Sequence, residues 1–327
     1  MAKPKSESSP KASVPRSGIA ALIGRPNVGK STLLNRLTGE KLAIVSPKPQ
    51  TTRNRILGVV TRPEGQVAFL DTPGVHQAKG PLHRMMVDAA LSALEEVELV
   101  LFLIPATAPS EKETPLSDGE KLILKRLATS KKKTLLVINK IDEVKKMALL
   151  PLIDRYREQY PFAELVPISA KTGEGVETLF QLVLSHLPEG PLLYPEEMLT
   201  DQEERQIVAE YIREEVLRLC HDEIPHSVAV RVEFFDESER QAPDEDDHPG
   251  KGLKGLVRID ASIFVERDSQ KAIVIGKRGQ MLKAIGTGAR KQIERLLGTH
   301  LYLSLRVRVE PKWSERPAAL QKLGFRS

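Results

Sequence analysis

Apolar residues in the first half of the chain come in short runs. Residues 19–23, 66–70, 94–104, 135–138 and 165–168 each read as a strand buried on both faces. Between them the apolar spacing turns helical, over 32–37, 116–127 and 176–187. This alternation predicts an α/β unit, a parallel-type sheet with helices on both faces. Pro188, Gly190, Pro191 and Pro195 then break the pattern. They set a domain at 18–187 and a linker at 188–200. Residues 201–219 form a charged amphipathic helix, and 227–234 and 255–265 alternate as strands. A short helix over 271–275, an amphipathic one over 281–297 and a strand over 301–309 follow. Residues 201–327 are thus a smaller α+β domain with a C-terminal tail.

Residues 1–17 are rich in Lys, Ser and Pro and have no apolar core, so they read as a disordered tail rather than a signal peptide. Residues 237–254 read as a flexible hairpin tip. Their carboxylates lack the spacing of a calcium loop. No apolar stretch approaches the roughly 18–20 residues that cross a bilayer, so no transmembrane segment is expected. A length of 327 residues suits two domains. The net charge of +5 leans towards a polyanionic partner. The single Cys220 excludes an internal disulfide and a cysteine metal cluster. It falls in an apolar helical stretch, so a buried thiol in a reducing compartment, the cytoplasm, is expected. The chain is expected to act as a monomer.

Chemistry enters at Gly24-Arg25-Pro26-Asn27-Val28-Gly29-Lys30-Ser31-Thr32, between the first strand and the first helix. A glycine-rich turn ending in Gly-Lys-Ser lets backbone N–H groups surround a polyphosphate at the positive end of a helix. Lys30 can reach the β- and γ-phosphates, and the Ser31 hydroxyl can ligate Mg²⁺. Two later strand ends select the base. Asn139-Lys140-Ile141-Asp142 follows one, and Ser169-Ala170-Lys171 follows another. In guanine-nucleotide proteins the carboxylate in the position of Asp142 accepts from guanine N1–H and N2–H₂. Such sites can discriminate by ~10⁴–10⁵. Asn139 would hold the loops together, Lys140 would lie along the base, and the Ala170 N–H would meet guanine O6. Ligands of open parallel sheets bind at these strand ends.

Asp71-Thr72-Pro73-Gly74 ends a further strand. Asp71 would hold Mg²⁺, and the Gly74 N–H would sense the γ-phosphate. Residues 48–53 occupy the place of the first switch loop, where a threonine closes over Mg²⁺. Thr52 is the expected ligand, with Thr51 the alternative. The expected catalytic set is Lys30, Thr52, Gly74 and Asn27, and the expected metal set is Ser31, Thr52 and Asp71. Val75 stands where many small GTPases carry a water-orienting glutamine, so slow intrinsic hydrolysis is expected. Asn27 either helps hold K⁺ beside the β- and γ-phosphates or merely tolerates a left-handed turn.

In the second domain, Ile275-Gly276-Lys277-Arg278-Gly279 joins two helices. Gly-x-x-Gly in a helix–strand–strand–helix–loop–helix–strand series is the signature of a type II KH domain, whose loop clamps an RNA backbone. Lys277 and Arg278 would neutralise phosphates, with Lys271, Lys283, Arg290, Lys291, Arg295, Arg306 and Arg308 clustered about them. Ile273, Ile275, Met281 and Ile285 would wall the base groove. Few aromatics are available for stacking.

These segments together resemble the Era GTPase family. The resemblance rests on residues 24–32, 49–53, 71–74, 139–142 and 275–279 and on the ending from Trp313 to Phe325. It implies a GTPase that binds GTP and GDP with Mg²⁺. It also implies binding to the 3′ end of small-subunit ribosomal RNA, assistance in small ribosomal subunit maturation, and peripheral association with the inner membrane. The acidic insertion around 239–254 departs from the shorter family hairpin. Trp313 is expected to pack rather than to edge the groove. Two other classes compete: a membrane-linked signalling GTPase whose KH-like domain docks protein, and an RNA-modifying enzyme with a GTPase motor. The second lacks any nucleophile–base pair in the carboxyl domain.

Overall fold

The computed structural model describes residues 14–48, 50–77, 80–106, 116–220, 224, 228–241 and 253–325. Most of the leading tail, Pro49 of the first switch segment, most of the 239–254 insertion and the last two residues lie outside these. The first sheet comprises β1 (Arg16–Gly24), β2 (Ile56–Arg62), β3 (Gly65–Asp71), β4 (Leu99–Pro105), β5 (Lys133–Asn139) and β6 (Glu164–Pro167), in the order β2-β3-β1-β4-β5-β6. Five strands run parallel; β2 pairs antiparallel with β3 at the edge.

Alternation within each strand divides the core. Ala20 and Leu22 face α1 (Lys30–Thr38) and α5 (Val176–His186), whereas Ala21 and Ile23 face α2 (Pro81–Ser92), α3 (Asp118–Ser130) and α4 (Leu149–Arg157). The run at 94–104 is shorter as a strand than its apolarity suggests. Residues 93–95 form a 3₁₀ turn, because Glu95, Glu96 and Glu98 cannot enter a strand buried on both faces. The patterning missed β2, which Gly58 interrupts. It also missed α2 and α4; Pro151 sits in the first turn of α4, where a missing N–H breaks no helical bond.

The strand β1 takes in Arg16 and Ser17. The linker runs back along the same sheet: Ser17 N–H donates to Pro188, both Leu193 and Tyr194 N–H donate to Gln66 Oε1 at 2.9 Å, and Val59 N–H donates to Leu199.

The second domain opens with α6 (Glu204–Leu219). It continues through β7 (Ala229–Arg240), β8 (Gly255–Val265), α7 (Asp268–Ile275), α8 (Gln280–Leu297) and β9 (His300–Val309), as the sequence order predicts. Its sheet is β7-β8-β9, with β8 and β9 parallel. Cys220 is buried in its core. A last helix, α9 (Pro317–Lys322), follows a turn at Trp313–Glu315. Trp313 is fully buried, as expected of a packing residue. It packs with α9 against Leu82 and Met86 of α2 and Ala229 and Phe264 of the second sheet, and so joins the two domains.

Candidate nucleotide site and nucleic-acid groove

The phosphate loop leaves β1 at Gly24 and enters α1 at Lys30. The Lys30 ammonium folds back over the loop, donating to the carbonyls of Arg25 at 3.1 Å and Gly24 at 3.4 Å. The second switch segment closes on the same loop. Val75 N–H donates to Gly24 at 3.0 Å, and a Cβ on Gly74 would lie 2.6 Å from Pro26 N. Only glycine permits that approach. The loop is braced from outside: Arg25 lies 3.6 Å from Glu120, which also accepts from Tyr156 at 2.9 Å. Burial works against Glu120 ionisation, but hydrogen bonds from Ser117 and Tyr156 hold its pKa below the usual value.

Three oxygen ligands converge beside Lys30. Ser31 Oγ donates to Asp71 Oδ2 at 2.7 Å, Thr52 Oγ1 lies 2.8 Å from Ser31 Oγ, and Thr52 also reaches Asp71 at 3.3 Å. Thr51 instead turns its hydroxyl to Lys48 at 2.8 Å. Asp71 is fully buried, and its Oδ1 has no hydrogen-bond partner. Burial raises its pKa, with Lys30 and the Ser31 and Thr52 hydroxyls pulling the other way. Burial correspondingly lowers that of Lys30, against the pull of Asp71. A carboxylate with one unpartnered oxygen, its other oxygen held by two hydroxyls, is a hard-oxygen set that fits Mg²⁺.

A cavity of about 500 Å³ opens over these groups, lined by Asn27, Gly29, Lys30, Ser31, Thr52, Gly74, Lys140 and Lys171 among others. At its far end Asn139 ties three loops. Its Nδ2 donates to Val28 at 2.8 Å, and its Oδ1 accepts from Ala170 N–H at 2.9 Å. The Ala170 N–H expected to meet guanine O6 is therefore engaged by Asn139. Asp142 is exposed and accepts from Ser169 Oγ at 2.6 Å.

Three residues expected to bind nucleotide face elsewhere. The Val75 side chain is fully buried in the core, Thr72 donates to Leu22 at 2.8 Å beneath the loop, and Ile141 packs against the core. Asn27 has φ 63°, and its amide donates to Pro47 at 2.6 Å, so the left-handed turn is realised and the side chain touches the first switch segment. Gln50 and Glu143 also line the cavity and were not foreseen. The bracing Glu120 was legible as a capping box, since Ser117 and Glu120 have its spacing.

In the second domain a groove of about 580 Å³ runs between α8 and β9. Lys283 and Arg290 line it, beside Gly279, while Lys277 and Arg278 stand exposed at its end. Its apolar wall is Leu282, Leu301, Leu303 and Leu305. The wall expected from Ile273, Ile275, Met281 and Ile285 is not found there; Ile285 is fully buried, and Ile273 and Met281 pack on the core. Alternation along β9 sends Arg306 and Arg308 to the sheet face away from the helices, so those two arginines do not join the loop cluster. Among the described residues no group of His, Cys, Asp and Glu could hold a metal, and no helix is long and apolar enough to cross a membrane.

Known proteins share both features. A model of the 50S ribosome-binding GTPase family matches residues 19–140, and a KH domain model matches 223–314. A GTPase Era of Geobacter sp. (strain M21) is 51% identical over 310 residues, covering 95% of this chain and 98% of its own. The crystal structure of a point variant of Aquifex aeolicus Era bound to GDP·AlF₄⁻ superposes with a TM-score of 0.85 at 39% identity, covering 95% of this chain and all of that one. An Era complex with MgGDPNP and nucleotides 1506–1542 of 16S ribosomal RNA gives 0.86 at 39% identity, covering 96% of this chain and all of the other.

Proposed function

The chain belongs to the Era family of GTPases, and from that premise we propose that it binds GTP with Mg²⁺, hydrolyses it to GDP, and grips the 3′ end of small-subunit ribosomal RNA during assembly of that subunit. The observation that carries the reading is the meeting of Ser31, Thr52 and Asp71 beside Lys30, in a chain that also presents a basic KH groove. Ser31 and Thr52 would ligate Mg²⁺, with Asp71 in contact directly or through water. The bound ion supplies charge neutralisation of the phosphates. Lys30 holds the β- and γ-phosphates, Asp142 selects guanine, and Gly74 N–H reads the γ-phosphate. The relative bound to MgGDPNP and 16S ribosomal RNA supports both halves of the assignment.

We further propose a slow intrinsic rate aided by K⁺. The buried Val75 offers no group to orient water, and Asn27 stands at the cavity rim. Action as a cytoplasmic monomer, with peripheral contact to the inner membrane, is proposed on the resemblance alone; sedimentation and vesicle flotation check it.

The full chain should hydrolyse GTP and bind an RNA of the 16S 3′ end in a filter assay. Lys30→Ala should abolish the first activity. Lys277→Asp with Arg278→Asp should abolish the second, because two phosphate neutralisations become two repulsions. RNA affinity should fall steeply with salt. A flat salt response would instead favour a KH-like domain that docks protein.

A further inference from the structure

Thr52 reaches the metal set from a segment that the second domain holds on both sides. Upstream, the Arg213 guanidinium of α6 donates to the Thr51 carbonyl. Downstream, Arg53 donates to the Val228 carbonyl at 2.6 Å and lies over the rings of Trp313 and Phe325, at 5.7 and 5.8 Å. Further upstream, Glu214 of α6 accepts from Val45 N–H at 3.0 Å, and Tyr211 donates to the Lys41 carbonyl at 2.6 Å. Every one of these partners belongs to the KH domain or its C-terminal extension.

We propose that Arg213, together with the ring clamp on Arg53, is a positioning device for GTP hydrolysis: the RNA-binding domain sets the backbone on both sides of Thr52, so that its hydroxyl meets Ser31 and Asp71. The proposal rests on the GTPase reading above and adds residues about 160 to 270 positions away in sequence to the working site.

Arg213 and Arg53 are both buried, and Nη1 of Arg213 has no hydrogen-bond partner. Glu210, bonded to Arg213 at 2.9 Å through Nε, is the carboxylate that offsets its charge.

The test uses full-length variants. Arg213→Met removes the donor while keeping volume and apolar contact, so folding should survive; a thermal melt checks this. GTP turnover should fall about 10- to 100-fold, the range for residues that orient a metal ligand, and half-saturation by Mg²⁺ should rise. Affinity for GDP should stay within about twofold, because GDP makes no demand on Thr52. Arg213→Lys should recover part of the rate, since an ammonium can still reach the carbonyl. Glu210→Gln and Phe325→Leu should each shift the Mg²⁺ dependence in the same direction. Wild-type turnover and Mg²⁺ dependence in folded Arg213→Met would overturn the proposal. Absence of GTPase activity in the unaltered chain would instead overturn the function reading.

Discussion

Gly29 and Asn139 lie so close that a Cβ on the glycine would sit 2.2 Å from the asparagine Nδ2. The same Nδ2 donates to Val28, and Gly29 has φ 96°. An alanine there meets two penalties: roughly 1–2 kcal/mol for a left-handed conformation and about 1–3 kcal/mol for breaking a buried hydrogen bond. Gly29→Ala should therefore weaken fluorescent GDP binding by about 100-fold or more. Unaltered binding would mean that the Asn139 brace is dispensable.

Base choice should reverse at Asp142. The Ser169 hydroxyl donates to one Asp142 oxygen at 2.6 Å. In Asp142→Asn that hydroxyl should hold the amide oxygen and leave the amide NH₂ facing the base, where it can donate to the extra carbonyl of xanthine. The preference for GTP over XTP should fall by roughly 10⁴. A competition assay in which GTP still wins by the wild-type margin would remove Asp142 from the site.

Legibility followed the range of the chemistry. The phosphate loop, Asp71 and Asn139 could be read in advance because each motif is contiguous and ends a buried strand. Thr52 and Thr51 are neighbours in the same motif, and only the fold shows that their hydroxyls turn opposite ways. The groove wall was not legible. Whether Ile285 or Leu282 faces RNA depends on how α8 rolls against the sheet, and the contribution of Leu303 and Leu305 depends on which edge β9 occupies. The bond from the Ala170 N–H to Asn139, a side chain 31 residues away, leaves no local trace in the sequence. The contact of Arg53 with Trp313 joins residues from opposite ends of the chain, and local pattern carries no trace of it.

Mg²⁺ dependence should steepen in acid. The pKa of Asp71 is raised by burial in the folded protein, so its charged form is penalised there. Without metal, this group costs stability as pH rises through its raised pKa and ceases to cost it as pH falls. Mg²⁺ needs the charged form, so the metal and the proton compete. Below that pKa, the Mg²⁺ concentration for half-maximal turnover should rise by about tenfold per pH unit. Titrations of Mg²⁺ at several pH values check this, and EDTA-treated protein should show the opposite trend in its melting temperature. A half-saturation constant unmoved by pH would place the metal away from Asp71.

Potassium should matter at Asn27. That residue is exposed at the phosphate end of the cavity, with its amide NH₂ already donating to Pro47. Its side-chain oxygen is the hard donor that a monovalent cation needs. GTP turnover should be faster in KCl than in NaCl at equal ionic strength, and the difference should vanish in Asn27→Ala. Equal rates in the two salts would dispose of the cation and leave the GTPase assignment standing.

The groove can be filled without harming the fold. Gly286 is inside α8 and lines the groove, and a Cβ there would meet only Leu305 Cδ1, at an ordinary 3.5 Å. Gly286→Leu should gain roughly 0.8–1 kcal/mol of helix propensity, so the melting temperature should hold or rise. Its side chain would occupy the space between Lys283 and Arg290, where bases are expected to lie. RNA affinity should fall at least about tenfold, about 1.4 kcal/mol, while GTP turnover stays unchanged. Gly288, two positions on, is the contrasting case, because a Cβ there would lie 2.2 Å from Glu215 Oε2 on α6. Gly288→Leu should lower the melting temperature through the packing of α6 on α8. If Gly286→Leu bound RNA as tightly as the unaltered chain, the groove between α8 and β9 would not be where RNA sits.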